Sequence, residues 1–352
     1  MGPGKGGLTG GAALLVAGLA TGIAIEKAIV GRRIKKRSFE EREPFGQLRG
    51  RTVRVTTTDG VELNVEIEKR ADPEHDGGLT IVFCHGYGLN QDCWHYQRRD
   101  LRSLGQLVFV DQRAHGRSRR GHPDNTTIDQ LGEDLKSVID QVTGDNPLLL
   151  VGHSMGGMTV MALAASHPEL FERRVVGVAL LATSAGGMAE TSFGFPPRVG
   201  KAFHKLFPQA LSSVAQREEI VGLRPRVSDI EFLITSRYSF GPDAPLSLTE
   251  FTSAMIKETP LDVLAEFFPA IDDHDKRDAI AQFAGIEMLV MVGSKDLLTP
   301  PHHSDELVRL APHAEFILLP ETGHMLMLER YPEVNQGLRD LVYRIRSAGI
   351  LD

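Results

Sequence analysis

Short apolar runs that lack polar alternation recur along the chain, and they constrain its fold more than any other feature. Strands buried on both faces have this pattern, because helices cover both sides of a parallel sheet. Helical segments separate the runs, and such alternation predicts a doubly wound α/β sheet. The runs are 79–84, 106–111, 147–152, 175–183, 286–293 and 314–320. The predicted helices are 92–104, 127–142, 155–167, 302–310 and 331–347.

Two further segments flank or interrupt this alternation. Residues 53–55 and 61–67 alternate apolar and polar side chains around Asp59-Gly60, which predicts a β-hairpin with an Asp-Gly turn. Between Thr183 and Ile286 about a hundred residues lack a buried run, and a structureless loop that long is uncommon in a compact domain. We therefore expect a mostly helical inserted cap. Its Phe and Met side chains are interpreted as cap core, with an apolar substrate pocket as the alternative.

The N-terminal segment differs in composition from the rest of the chain. Residues 8–25 carry no charged side chain, and their length is close to that of a membrane span. Lys5 precedes the run, whereas six Lys and Arg residues follow it within 27–37. This charge order predicts an uncleaved membrane anchor with the remaining chain on the cytoplasmic side. A disordered or peripherally bound tail is the alternative, and secretion is a third.

These patterns divide the chain into five parts. The predicted division is an anchor with a basic flank, a linker, a first part of the core, the helical cap and a second part of the core. The corresponding residues are 1–37, 38–51, 52–185, 186–284 and 285–352.

Composition excludes several classes of protein. The chain has 352 residues, 41% of them hydrophobic, so global disorder is excluded. Its 39 Lys and Arg against 46 Asp and Glu give a net charge of −7, which argues against nucleic acid as a partner. Only Cys84 and Cys93 are present, so a disulfide-stapled scaffold is excluded, and no Cys/His cluster has zinc-finger spacing. We predict neither a metal nor an organic cofactor.

A nucleophile motif follows the third apolar run. Residues 152–157 read Gly-His-Ser-Met-Gly-Gly, a G-x-S-x-G between a predicted strand and a predicted helix. Such a turn is so tight that its glycines are needed, and it exposes Ser154 at the carboxyl end of the sheet. The N-terminus of the following helix favours negative charge at the same place. In this context Ser154 is predicted to be a nucleophile rather than an incidental turn residue.

A serine nucleophile needs a base and an acid, and both have candidates in loops after later strands. His324 lies in Glu-Thr-Gly-His-Met after the last apolar run, and Asp296 lies in Gly-Ser-Lys-Asp after the preceding run. The order of these residues along the chain, Ser154, Asp296 and then His324, fits their assignment as nucleophile, acid and base. Alternatively, His324 caps the final helix and Asp296 is an N-cap. Rival acids within the cap are Asp272, Asp273 and Asp275.

The loop after the first run supplies candidates for an oxyanion hole. It reads His85-Gly86-Tyr87-Gly88, and the backbone N–H groups of Tyr87 and Met155 are predicted to hold the oxyanion. Gly86 and His153 are assigned to substrate binding. His85, Cys84 and the turn 111–118 are interpreted as structural.

Together these motifs resemble those of the α/β-hydrolase superfamily. Within it, the chain is similar to bacterial esterases, monoacylglycerol-lipase-like enzymes and cofactor-free haloperoxidase-like hydrolases, from residue 52 to the C-terminus. The resemblance implies an eight-stranded, mostly parallel sheet, a cap after the sixth strand and hydrolysis through an acyl-enzyme. Epoxide hydrolases and haloalkane dehalogenases carry Asp at the elbow, so Ser154 counts against both.

The sequence therefore predicts a serine hydrolase that cleaves carboxylic esters of small, apolar or lipid-like molecules. Other chemistry on the same residues stays open: thioester, amide, lactone or carbon–carbon cleavage, or perhydrolysis. A further alternative is a non-catalytic ligand-binding protein, since a fold does not fix a function.

Overall fold

A computed structural model describes residues 43–69, 78–221 and 228–349, with the side chains of 214–232 excepted. Within these ranges eight strands form one sheet. The strands are β1 (Arg51–Thr56), β2 (Glu62–Glu68), β3 (Thr80–Cys84), β4 (Gln106–Val110), β5 (Leu148–His153), β6 (Val175–Leu181), β7 (Glu287–Gly293) and β8 (Glu315–Leu319).

The sheet is parallel except at one end. Its order is β1-β2-β4-β3-β5-β6-β7-β8, and β2 runs antiparallel to both of its neighbours. Each predicted apolar run forms a strand, and β1 and β2 form the predicted hairpin around Asp59-Gly60. Because β3 to β8 are parallel, the loops that follow these strands lie at one edge of the sheet.

Helices cover both faces of the sheet. In the described ranges they are α1 (His95–Asp100), α2 (Ile128–Val142), α3 (Met155–Ser166), α4 (Pro168–Arg173), α5 (Pro197–Val221), α6 (Ser228–Ser239), α7 (Leu246–Glu258), α8 (Leu261–Asp272), α9 (Pro301–Leu310), α10 (Leu326–Glu329) and α11 (Tyr331–Ser347). One buried core packs α2 and α3 against side chains such as Leu150, and the other packs α11 against neighbours such as Leu149. Successive strand residues thus face opposite cores, which explains the lack of polar alternation.

The predicted helix 92–104 is broken in the structure. A 3₁₀ turn at Gln91–Trp94 precedes α1, which ends before Leu101. The reason lies at Gly105, where a Cβ atom would come within 2.4 Å of the Leu79 backbone oxygen. The chain must already be extended there to join the sheet, so the helix stops early.

The insertion between β6 and β7 contains the helices α5, α6, α7 and α8, as the predicted cap requires. The predicted anchor at 8–25 lies outside the described residues, as does the Phe232 side chain assigned to the cap core. No helix in the described part of the chain is long and apolar enough to cross a membrane. The anchor therefore stays a prediction.

Candidate active site

Ser154 lies at a strained turn between β5 and α3. Its φ of 53° and ψ of −121° are unfavourable for a residue with a side chain. Two hydrogen bonds hold the turn: the Ser154 N–H donates to the Leu181 oxygen (3.0 Å), and Thr183 Oγ1 donates to the Ser154 oxygen (2.7 Å). A Cβ at Gly156 would come within 2.1 Å of the Cys84 oxygen, so only glycine fits there.

His324 and Asp296 form a buried hydrogen-bonded pair. His324 Nδ1 lies 2.8 Å from Asp296 Oδ2, and the carboxylate also accepts from the N–H groups of Leu298 (2.8 Å) and Thr299 (2.9 Å) and from Thr299 Oγ1 (2.9 Å). Asp296 is thus an acceptor on both oxygens, which places the imidazole proton on Nδ1. Nε2 of His324 has no hydrogen-bond partner among the described residues, so it is available as a base.

His153 joins the Ser154 turn to the His324 loop. Its Nε2 donates to the backbone oxygen of His324 (3.0 Å), and the centres of the two rings are 4.7 Å apart. Burial and the neighbouring His324 hold the pKa of His153 well below its usual value, so its ring stays neutral. No hydrogen bond joins Ser154 Oγ to His324 within the described ranges, and such bonds are commonly long in the absence of substrate.

Gly86 lies against the same turn. A Cβ at this position would come within 2.9 Å of His153 Nδ1 and within 3.1 Å of Ser154 Cβ. The loop after β3 therefore approaches the serine more closely than a larger residue would allow. Substrate contact by Gly86 and His153 stays a prediction.

The backbone N–H groups of the two predicted oxyanion donors have no hydrogen-bond acceptor within the described residues. Met155 is the first residue of α3, where a helical N–H has no intrahelical acceptor. The Tyr87 N–H makes no hydrogen bond within the described part of the chain. The Tyr87 hydroxyl donates to the Leu264 oxygen of α8 (2.5 Å), and burial raises the pKa of this phenol. Its side chain thus fastens the loop to the cap.

A network of buried hydrogen bonds supports the loop after β3. His85 Nδ1 donates to the Gly86 oxygen (2.8 Å), and His85 Nε2 accepts from the Gln112 N–H (3.0 Å). Burial lowers the pKa of His85 to about 4, which fits its interpretation as structural. The Asp111 carboxylate accepts four hydrogen bonds, two of them from Gln91, which fixes the turn after β4. No group of His, Cys, Asp and Glu in the described ranges is arranged to hold a metal ion.

Two of the three rival acids, Asp272 and Asp275, have other partners. Asp272 accepts from His204 Nδ1 (2.8 Å), and Asp275 pairs with Arg277. Asp296 is the acid bonded to His324. Two supporting residues were not predicted from the sequence: Thr299 and Glu329. The position of Thr299, three residues after an Asp in a turn, is a capping signal that could have indicated it. Glu329 has no such local signal.

Comparison with known families identifies the fold. A family model described as alpha/beta hydrolase fold matches residues 80–331. The chain belongs to this family. The resemblance drawn from the motifs is therefore confirmed, and so is the predicted architecture of the hydrolase.

Individual relatives of this hydrolase have varied functions. It is 29% identical over 262 residues to a Mus musculus protein named sn-1-specific diacylglycerol lipase ABHD11, covering 71% of this chain and 77% of the relative. It is 27% identical over 272 residues (75% of this chain) to the dihydrolipoyllysine-residue acetyltransferase component of the acetoin cleaving system of Pseudomonas putida. The hydrolase spans only 63% of the length of that component.

A solved structure extends the comparison in three dimensions. A thermophilic esterase from Thermogutta terrifontis, bound to malate, superposes with a TM-score of 0.66, covering 84% of this chain and 99% of the esterase. At 22% identity, this likeness concerns the fold alone.

Proposed function

We propose that this α/β hydrolase cleaves carboxylic esters through an acyl-enzyme formed on Ser154. The observation that carries the proposal is the hydrogen bond between Asp296 Oδ2 and His324 Nδ1 (2.8 Å), in a loop that His153 ties to the Ser154 turn. With the imidazole proton held on Nδ1 by Asp296, His324 Nε2 is the nitrogen that would act as base for Ser154.

In the proposed first step, Ser154 Oγ attacks the ester carbonyl carbon while its proton passes to His324 Nε2. Asp296 keeps the imidazole oriented and stabilises the imidazolium. The N–H groups of Tyr87 and Met155 donate to the developing oxyanion, and losing one such donor typically costs a factor of about 10² to 10³ in kcat. The imidazolium then protonates the leaving alcohol as the carbon–oxygen bond breaks.

In the second step, water attacks the acyl-enzyme with His324 as base. The carboxylic acid leaves, and the proton returns to Ser154 Oγ. Each turnover consumes one ester and one water and yields one acid and one alcohol. No other reactant is needed.

The proposed substrates are small, apolar or lipid-like esters. The cap supplies an aromatic cluster in which Phe203 stacks on Phe207 (4.6 Å between ring centres) and Phe207 packs against Phe268 (5.1 Å). Phe203 and Phe207 are both only partly buried. A relative named as a diacylglycerol lipase supports the same substrate class.

The test is Ser154→Ala against short p-nitrophenyl esters. We expect hydrolysis to fall to background while the thermal unfolding temperature stays close to that of the wild type. Ser347→Ala, at the exposed end of α11, is the matched control and should keep full activity. Turnover that persists in Ser154→Ala would remove the mechanism, and a wild-type protein limited to one event per chain would indicate a binding protein.

A further inference from the structure

The Glu329 side chain makes contacts that the proposed chemistry does not use. Glu329 ends α10, five residues after His324. Its carboxylate accepts from the Gly323 N–H (2.9 Å) and from the Gly241 N–H (3.0 Å to each oxygen). Burial raises the pKa of this carboxyl group above its usual value. One carboxylate thus bridges the histidine loop and a segment of the cap.

The two bridged segments also touch through their backbones. A Cβ at Gly241 would come within 1.9 Å of the Glu321 oxygen, and a Cβ at Gly323 would come within 2.5 Å of the Phe240 carbonyl carbon. The Met325 N–H donates to the oxygen of Ser239, the last residue of α6 (2.8 Å). The end of α6 therefore contacts the chain on both sides of His324.

Glu329 is therefore an acceptor shared by both segments. Without its oxygens, the N–H groups of Gly323 and Gly241 would lose their acceptor at a close-packed contact. The bond from the Met325 N–H to the Ser239 oxygen would still join the Glu321–Met325 loop to the cap, but the carboxylate bridge would be lost. Asp296 already occupies His324 Nδ1, so Glu329 acts on the imidazole only through the backbone.

We propose that Glu329 is a positioning residue that holds His324 in register with Ser154 by clamping its loop to the end of α6. The inference rests on the proposed function, because it concerns the base of that reaction. It also couples the cap to the base: when α6 moves away from the loop, the clamp opens and His324 loses its alignment.

The experiment compares three substitutions at this site. Glu329→Ala removes both acceptors, Glu329→Asp is one methylene too short to reach both amides, and Glu329→Gln keeps one acceptor oxygen. The matched control is Glu333→Ala, which removes a partly exposed carboxylate paired with Arg330. The readouts are kcat, KM and the rate at which a fluorophosphonate labels Ser154, each normalised to the folded fraction.

We expect kcat and the labelling rate of Glu329→Ala and Glu329→Asp to fall together by about 10- to 100-fold, the usual cost of a misplaced catalytic group. KM should stay within about threefold, because the substrate contacts are unchanged. Glu329→Gln should retain most of the wild-type kcat and labelling rate. The control Glu333→Ala should match the wild type in both. If Glu329→Ala does not fold, the comparison of Glu329→Asp with Glu329→Gln tests the inference.

Wild-type kcat in folded Glu329→Asp and Glu329→Ala would overturn the inference. The inference would also be overturned if the loss of kcat disappears after normalisation to the folded fraction, because the effect would then be purely on folding. Ser154→Ala separates the two proposals. If that variant still hydrolyses esters, the proposed function fails. If it is inactive while every Glu329 variant works normally, only this inference fails.

Discussion

The Asp296 side chain has a fixed orientation, and this allows a prediction at the scale of one residue. Oδ1 accepts from the N–H groups of Leu298 and Thr299, which leaves Oδ2 for His324. Asn at this position would keep its carbonyl oxygen on the two N–H groups and turn its amide NH₂ towards His324 Nδ1. The imidazole proton would then move to Nε2, where it blocks the base. We expect Asp296→Asn to lower kcat by about 10³- to 10⁴-fold, measured with a p-nitrophenyl ester at neutral pH.

Asp275→Asn is the matched control for this change. Asp275 pairs with Arg277 and is more than half exposed. Its loss should leave kcat within about twofold, as is usual for surface positions. Near-normal turnover in Asp296→Asn would contradict the assigned proton position.

The positions of the candidate site residues at the ends of strands could be predicted from the sequence. Ser154, Asp296 and His324 each follow an apolar run, and parallel strands bring such positions to one edge. The contacts of His153 and Glu329 could not be predicted. His153 bonds to an oxygen 171 positions away, and Glu329 bonds to an N–H 88 positions away. Contacts between residues so far apart along the chain leave no local sequence pattern.

At the scale of elements, the loop after β3 depends on a cap helix. The Tyr87 hydroxyl donates to the Leu264 oxygen of α8, and the Thr259 hydroxyl donates to the Gly88 oxygen (3.4 Å). Tyr87→Phe would keep the proposed oxyanion N–H but release this anchor. A lost hydrogen bond of about 1 kcal/mol corresponds to roughly a fivefold change, so we expect kcat to fall by about 3- to 10-fold. The change in kcat would be measured by steady-state kinetics on a short ester.

Tyr343→Phe controls for the loss of a phenol, because Tyr343 is 72% exposed on α11. Its kinetics should equal those of the wild type. Unchanged kcat in Tyr87→Phe would mean that the backbone alone fixes the loop after β3.

Strands were easier to predict than the elements around them. Burial on both faces gives an apolar run, and this pattern located the central strands. The run at β8 is equally apolar in sequence, yet Phe316 and Leu318 are exposed because β8 is an edge strand. The order of strands within a sheet depends on tertiary pairing, so the sequence could not distinguish an edge from the centre. The early end of α1 has a similar origin in the contact at Gly105.

At the scale of the whole molecule, the cap contacts both sides of the site. The helix α8 holds the loop of Tyr87, and the end of α6 holds the loop of His324. The proposed oxyanion donor Tyr87 and the proposed base His324 thus lie on different loops, and hydrogen bonds join these loops to different helices of one insertion. Cap movement should therefore affect both groups at once, rather than only opening or closing a path for substrate.

Four buried histidines make the stability of the whole molecule sensitive to acid. Burial lowers the pKa to about 4 for His85, about 3 for His115, about 4 for His274 and about 4 for His303. Removal from water, which disfavours the charged ring, is the main cause of the lowered pKa in each case. His303, for example, lies between the hydroxyl groups of Ser184 (2.8 Å) and Thr191 (2.9 Å).

The sign of the effect follows from proton binding. Below the unfolded pKa of about 6.5, unfolded chains bind protons at these histidines while the folded protein does not, so stability present above this pH is lost as pH falls towards 4. Each histidine contributes a slope of about 1.4 kcal/mol per pH unit to the free energy of unfolding. Urea unfolding at pH 7.5, 6 and 5 should reveal this steep decline. His274→Gln should reduce the slope by about 1.4 kcal/mol per pH unit, which corresponds to one proton. The His122 side chain is 72% exposed, so His122→Gln should leave the slope unchanged. A free energy of unfolding that stays constant from pH 7.5 to 5 would show that the folded and unfolded states bind the same number of protons, which would contradict this prediction.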